Sequence, residues 1–242
     1  MQKKKILFLH QNFPAQFKSL APHLALNKNY EIYSLSLKKN RNKEELDESL
    51  SSMENIVHYQ YEITRGSTED IHVLAAEFEA KMIRAEAVAK KCIDLKEEGL
   101  DPDLIINHPG WGEIYLLKDV WPEAKWLSYF EFYYNTKGSD IDFDLGEENH
   151  PKPGFDLFAK LRARNAPGMM SYLESDKLIS PTEFQKSTAP NEFRKKIKVI
   201  HDGIDTNIIK PIKGISVEVE IKNQIKLTLF KKDKIVTFIN RN

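Results

Sequence analysis

Apolar positions along this chain follow two rhythms. Short, nearly continuous apolar runs occur at Ile6 to Leu9, Tyr30 to Leu37, Asn55 to Tyr61, Pro102 to Asn107, Trp126 to Phe130, Lys177 to Ser180 and Lys196 to Ile200. This is the pattern of strands buried on both faces of a parallel sheet. Between them apolar residues recur every third or fourth position. Pro14 opens one such stretch, with Phe17, Leu20 and Leu24 on one face and Pro22 predicted to kink it. Ile71, Leu74, Phe78, Met82, Ala85, Ala89 and Cys92 mark one face of a long helix from Thr68 to Glu98, with Ser67 and Asp70 as a capping pair and Gly99 as its stop. Further helices are expected at Phe155 to Glu174 and Thr182 to Ser187. Strands alternating with helices predict an α/β protein with a doubly wound parallel sheet. In such sheets ligands bind at the carboxyl ends of the strands, which singles out the loops His10 to Phe13, His108 to Glu113 and His201 to Asp205.

Beyond Pro211 the rhythm changes. Ile215 to Ile221 alternates apolar and polar, Lys222 to Gln224 is turn-like and Ile225 to Phe230 is extended again, so a small β-hairpin is expected. Lys234 to Ile239 then reads as a buried strand, the opening of a βαβ unit whose helix does not follow. The expected organisation is one domain over 1–212 and, over 213–242, the hairpin and first strand of a truncated second domain.

Composition narrows the class. Of 242 residues 41% are apolar, including 13 Phe, 9 Tyr and 3 Trp, enough for a globular core. The 36 basic residues balance 36 acidic ones, so no global field attracts nucleic acid. The one cysteine, Cys92, falls on the inner helix face; it excludes an internal disulfide framework and suits a reducing compartment. Lys3 to Lys5 precede too short an apolar run for a signal peptide, and no window approaches the roughly 18 apolar residues of a membrane span. A cytoplasmic protein is expected, with peripheral contact at the inner membrane face left open.

Two segments concentrate chemistry. His108-Pro109-Gly110-Trp111-Gly112-Glu113 follows a strand and combines an imidazole, two glycines, an indole and a carboxylate. It reads either as a sugar or acceptor pocket, with Trp111 as a stacking face, or as a tight turn with Trp111 plugging the core. Glu131 lies among aromatic residues, where burial could fit it for acid or base work; the alternative is a surface carboxylate at a strand end. Asp140, Asp142, Asp144, Glu147 and Glu148 superficially resemble a calcium loop, but the glycine and closing glutamate are misplaced, so a solvated loop is expected. Arg162, Arg164, Arg194, Lys195 and Lys196 could meet phosphate or lipid headgroups or merely form solvated faces. Dinucleotide, Walker, nucleophile-elbow and zinc motifs are all missing from the sequence, and no metal site is expected.

The stretch Val199-Ile200-His201-Asp202-Gly203-Ile204-Asp205, running on to Pro211, resembles an element of family 4 glycosyltransferases. So, in order, do Ile6 to Phe17, His108 to Glu113, Ser128 to Phe132, Leu161 to Asn165 and Ser180 to Gln185, which together resemble a bacterial subgroup of that family. The resemblance implies a GT-B enzyme of two Rossmann-like domains, the first binding acceptor and the second a nucleotide-sugar. It implies metal-independent transfer with retention of anomeric configuration. His108 and Glu131 are the expected catalytic residues. Asn12, Phe13, Gly110, Trp111, Gly112, Glu113, Asp202, Gly203, Asp205 and Arg241 are the expected ligand-binding positions, with Phe-Pro-Ala where the wider family has glycines. No cofactor is expected on this chain; a UDP- or GDP-sugar would be the donor of the full enzyme, and a sugar or lipid-linked molecule the acceptor. The resemblance thus implies an acceptor-side domain inactive without its donor domain, with self-association through uncovered cleft residues. The alternatives are a stand-alone carbohydrate- or lipid-binding module, a subunit pairing with a separate donor-binding chain, or a sugar-nucleotide epimerase half.

Overall fold

The computed structural model describes residues 3–38, 53–142, 154–221 and 225–236. In chain order the elements are β1 (Lys4–Leu9), α1 (Leu20–Ala25), β2 (Tyr30–Leu37), β3 (Ile56–Tyr61), α2 (Ala76–Glu97), β4 (Leu104–Asn107), α3 (Leu117–Val120), β5 (Lys125–Tyr129), α4 (Phe155–Glu174), β6 (Lys177–Ser180), α5 (Glu183–Thr188), α6 (Asn191–Arg194), β7 (Ile197–Val199), β8 (Ser216–Ile221) and β9 (Ile225–Phe230). Strands one to seven form one parallel sheet in the order β3-β2-β1-β4-β5-β6-β7. The expected doubly wound, Rossmann-like α/β fold is present, and so is the hairpin, β8 paired antiparallel with β9. Among the described residues no helix is long and apolar enough to cross a membrane.

Alternation along each strand sends neighbouring side chains to opposite faces. Leu7, Leu9, Leu35 and Ile105 join Ala85, Val88, Cys92 and Leu95 of α2 in one core. Ile6, Phe8, Ile32 and Ile106 join Phe13, Phe17 and Ala21 in another. Complete burial of each large side chain contributes about 2 kcal/mol. A third cluster, Phe130, Tyr172, Leu178, Phe193 and Ile197, fixes α4 and α6 to the later strands.

Gly99 ends α2 as its sequence position foretells. Its φ is 95°, its N–H bonds to the Lys96 carbonyl and Leu100 N–H bonds to Leu95 O, a Schellman closure with both leucines buried. Three expectations need correction. Helix α2 begins at Ala76 rather than Thr68, because the Thr68 N–H and hydroxyl are taken by the Glu79 carboxylate at 2.9 and 2.6 Å. Phe78 therefore sits in the first turn and is 38% exposed instead of packed. Pro22 causes no interior break, since α1 starts at Leu20 and leaves Pro22 in the first turn, where no N–H partner is needed.

The chain divides into a unit ending at Asp202 and one beginning at Gly203. From sequence the boundary is expected after residue 212. The last bond between backbone groups of this segment and the sheet is Ile200 N–H to Ser180 O. Within the second unit, Ile208 and Ile209 N–H both bond to Asp205 O, closing a single turn. Val217 faces Leu229 and Val219 faces Leu227 across the hairpin, giving it one apolar side. Lys234 to Val236 form no strand; the rest of that expected strand, Arg241, Asp144, Glu147, Glu148 and the 222–224 turn lie outside the described residues.

Ala15, in the loop after β1, has φ 40°. A Cβ in the left-handed region costs about 1 kcal/mol, partly offset by the chain entropy that glycine loses on folding. Ala15→Gly should raise the unfolding free energy by about 0.5 kcal/mol. Urea titration checks this; a lower denaturation midpoint would contradict it.

Candidate active site

The strand order reverses between β1 and β4, which pair with Leu9 opposite Asn107. The next residues, His10 and His108, therefore leave the sheet side by side at its switch point, the place where ligands bind in open α/β sheets. Both are buried, and their rings meet edge to face at 5.6 Å. Tyr129, the last residue of β5, stacks on the other side of His108 at 5.5 Å and 25°. His108 Nε2 lies 3.1 Å from a carboxylate oxygen of Glu131, whose side chain is half exposed. With that oxygen accepting, Nε2 carries the hydrogen and Nδ1 presents a lone pair. Nδ1 is buried and has no partner among the described residues. Residue 110 must be glycine for the ring to sit here, because a Cβ would fall 2.9 Å from Cε1 and 3.1 Å from Nδ1.

The same turn carries Glu113, 1% exposed. One oxygen accepts the Tyr61 hydroxyl at 2.7 Å and the other the Gln11 N–H at 2.9 Å. Desolvation pushes its pKa up to about 7 against the opposing pull of these two bonds and of Arg84. Burial, reinforced by Glu113, also raises the Tyr61 pKa. The carboxylate thus ties the ends of β1 and β3 to the turn after β4 and does not line the cavity. Gly112 performs a packing task as well. Its φ is 91°, and an added Cβ would come within 2.7 Å of the Lys81 carbonyl oxygen and side chain on α2.

Above His108 opens a cavity of about 260 Å³. Its walls are Glu77, Lys81 and Arg84 from α2, His108, Gly110 and Trp111 from the turn after β4, Glu131 to Tyr134 from the segment after β5, and Arg164, Asn165, Gly168 and Tyr172 from α4. Trp111 is 40% exposed, leaving an apolar face for a ring to stack on. Its carbonyl accepts from Arg84 Nη1 at 2.6 Å. Asn165 grips the Tyr134 backbone twice, accepting its N–H at 3.0 Å and donating to its carbonyl at 2.8 Å. The Arg164 guanidinium lies 3.9 Å over the Tyr134 ring.

The structure therefore brings together His108, Gly110, Trp111 and Glu131 of the expected site residues. Asp202 joins them indirectly, since both its oxygens accept the Tyr129 hydroxyl at 3.1 and 3.0 Å. Burial and this carboxylate raise the Tyr129 pKa. Phe13 faces the core, stacked on His58 at 5.9 Å, and Asn12 donates its N–H to His10 Nδ1. Gly203 and Asp205 belong to the second unit, where Asp205 accepts the Asn207 N–H. Arg84, Tyr134 and Asn165 escape notice as ligand-facing residues in the sequence, whereas Arg164 is there a candidate contact for phosphate or lipid headgroups. Charged and amide positions on a helix carry no mark of the face they occupy, although Arg164 and Asn165 do fall within a family-like motif. Among the described residues no cluster of His, Cys, Asp and Glu could hold a metal ion.

A profile of the glycosyl transferase family 4 group matches residues 30–209. The chain belongs to this family. No curated protein matches it in sequence. Among solved structures, a glycosyltransferase of Medicago truncatula complexed with UDP-glucose superposes with TM-score 0.55 at 10% identity, over 87% of this chain and 54% of that one. An enzyme of Phytolacca americana complexed with UDP-2-fluoro-glucose and pterostilbene gives 0.53 at 10% identity, over 83% and 54%. A UDP-glucosyltransferase of Polygonum tinctorium gives 0.54 at 6% identity, over 83% and 52%. At such identities the likeness is one of fold, the Rossmann-like domain of GT-B glycosyltransferases. This family 4 chain spans about half the length of the structures it matches.

Two outcomes follow from this family 4 site's supports. A raised carboxyl pKa stabilises the fold fully below the unfolded value and loses that contribution as pH rises through the folded value. For Glu113, at about 7 from 4.5, unfolding free energy should fall by about 3 kcal/mol between pH 4 and 8. In Glu113→Gln this component should vanish, since an amide can accept from Gln11 and donate to Tyr61; urea unfolding across that range would show an unchanged slope if the assignment is wrong. Gly112→Ala should cost about 3 kcal/mol through the Lys81 clash and the positive φ, read as a lowered Tm.

Proposed function

We propose that this chain is the acceptor-side domain of a retaining glycosyltransferase, moving a hexose-like sugar from a UDP- or GDP-sugar to a hydroxyl acceptor in glycan or glycolipid synthesis. The observation that carries this reading is the cavity at the β1–β4 switch point, with His108 held against Glu131 at its floor. Its Trp111 face and buried imidazole suit a sugar ring with hydroxyl groups at its edge. The family match and the UDP or UDP-sugar in several neighbouring structures support a nucleotide-sugar donor.

On this reading His108 Nδ1 accepts a hydrogen bond from the acceptor hydroxyl, and Glu131 fixes the tautomer that makes this possible. The hydroxyl oxygen bonds to the anomeric carbon as the bond from that carbon to the diphosphate breaks on the same face. The hydroxyl proton passes to His108 Nδ1, and the diphosphate departs with the electron pair of the broken bond. Positioning dominates such a reaction, and clamping between His10 and Tyr129 supplies it for the imidazole. A second domain would bind the nucleotide. Turnover then needs that domain, and the spanned half of the matched structures supports this division of labour. The enzyme would work in the cytoplasm.

The test has two parts. Titration with neutral glycosides, followed by NMR, should perturb Trp111 and His108 resonances, with affinity falling about tenfold in His108→Ala. Nucleotide-sugar turnover should be undetectable with this chain alone and should appear when a donor-binding domain is supplied in the same or a separate chain. Turnover by the chain alone would refute the division of labour. Glycoside binding that ignored His108 and Trp111 would refute the site.

A further inference from the structure

The charged groups around the cavity are unequally matched. Glu77 is 2.9 Å from Lys81 and 3.9 Å from Arg164, and Glu131 is held by His108. Lys81, Arg84 and Arg164 thus face two carboxylates across one cavity. Arg84 has no carboxylate within 4 Å among the described residues. Glu113, whose carboxyl feels the Arg84 charge, already has both oxygens occupied by Tyr61 and Gln11. The two guanidiniums are fixed chiefly by neutral groups, Arg84 by the Trp111 carbonyl and Arg164 by the face of Tyr134. Tyr134 is in turn gripped by buried Asn165.

Neutral anchors orient a guanidinium without cancelling its charge. Each guanidinium has five N–H donors in a planar fork suited to oxyanions. Arg84 uses one donor on Trp111 and also meets the Tyr61 hydroxyl, and Arg164 meets Glu77 only at 3.9 Å. Cations left uncompensated in a partly enclosed site are costly to the empty protein unless a ligand supplies the counter-charge.

We propose that the acceptor is an anionic sugar, and that Arg84 and Arg164 bind its carboxylate or phosphate while Trp111 stacks on its ring. This rests on the acceptor-side reading of the same cavity. A volume of about 260 Å³ holds one charged ring rather than a long chain, so the remainder of a larger acceptor would extend outward. The two arginines then select the acceptor, and His108 addresses its hydroxyl.

The test is a heteronuclear NMR titration of the whole chain at low salt with three probes: a methyl glucoside, a methyl glucuronide and glucose 6-phosphate. At least one anionic probe should bind about tenfold more tightly than the neutral one, and the tighter of the two identifies the oxyanion. Arg84→Gln and Arg164→Gln should each bring the ratio of anionic to neutral affinity most of the way back to one. Arg164 is half exposed on α4, so its variant serves even if Arg84→Gln fails to fold. Equal binding of all three probes, or an anionic advantage that survives the arginine substitutions, overturns the proposal. In that event His108-dependent binding of the neutral sugar still upholds the acceptor-side reading. Failure of every probe to perturb cavity resonances defeats both.

Discussion

Glu113 carries a carboxylate with almost no access to water, and both its oxygens are engaged by groups from other strands. Gln11 follows β1, Tyr61 ends β3, and Glu113 itself lies in the turn after β4. These backbones could each end at several heights above a twisted sheet. A single desolvated acceptor pins them to one level, at the cost of a carboxyl group pushed up to about 7. Arg84 opposes that rise through its charge and also donates to the Trp111 carbonyl. The same side chain thus transmits the position of the buried acid to the stacking face of the cavity.

The imidazole inherits its position from this edge. His10 and His108 follow paired residues at the one place where the order of strands reverses, so their juxtaposition is a matter of register rather than of loop flexibility. Tyr129 closes the clamp, and Asp202 holds its hydroxyl from the end of the first unit. Below, Asn107 donates to Ser128, and Ser128 and Ser175 share a 2.6 Å bond before Ser175 donates to the Ser171 carbonyl. That chain of hydrogen bonds crosses from β4 through β5 to the end of α4. Cavity walls drawn from sheet and helix are thereby held by one buried polar network.

Strands were the most legible part of the sequence. Runs such as Tyr30 to Leu37 and Lys177 to Ser180 coincide with β2 and β6, because apolar residues on both faces set them apart from the flanking loops even with Glu31, Ser34, Ser36 and Lys177 among them. Helix starts were less legible. Ser67 and Asp70 look like a cap, but a remote carboxylate, that of Glu79, captured Thr68 and displaced the helix to Ala76. The turn after β4 was located correctly, whereas the division of labour within it was not. Spacing cannot tell that Glu113 turns inward and His108 faces the cavity, since the distinction depends on a 3₁₀ turn at Pro109–Trp111 and on glycines admitted by close neighbours. Arg84 was hidden, and Arg164 left between a phosphate contact and a solvated face, for a related reason: a cation on a helix reads the same whether it meets water or a cleft.

Buried polar atoms without partners are not spread evenly. Asn12 Oδ1, Gln16 Oε1, Arg84 Nε, Asn107 Oδ1 and His108 Nδ1 gather around the ends of β1 and β4, against Trp126 Nε1, Ser171 Oγ and Ser180 Oγ elsewhere in the described chain. Each such atom costs about 1–3 kcal/mol. Ala15 in the left-handed region and the desolvated Glu113 add to the burden at the same edge. Selection for stability alone would remove these features by apolar substitution, as the well-packed Leu7, Leu9 and Ile105 show the sheet can accept. Strain and unsatisfied polarity concentrated at a topological switch point, in a chain of the family 4 glycosyltransferases, are what a preorganised binding edge requires. The hydrogen-bonding capacity left unfilled there is the physical ground for proposing a ligand above His108 rather than at any other recess of the described surface.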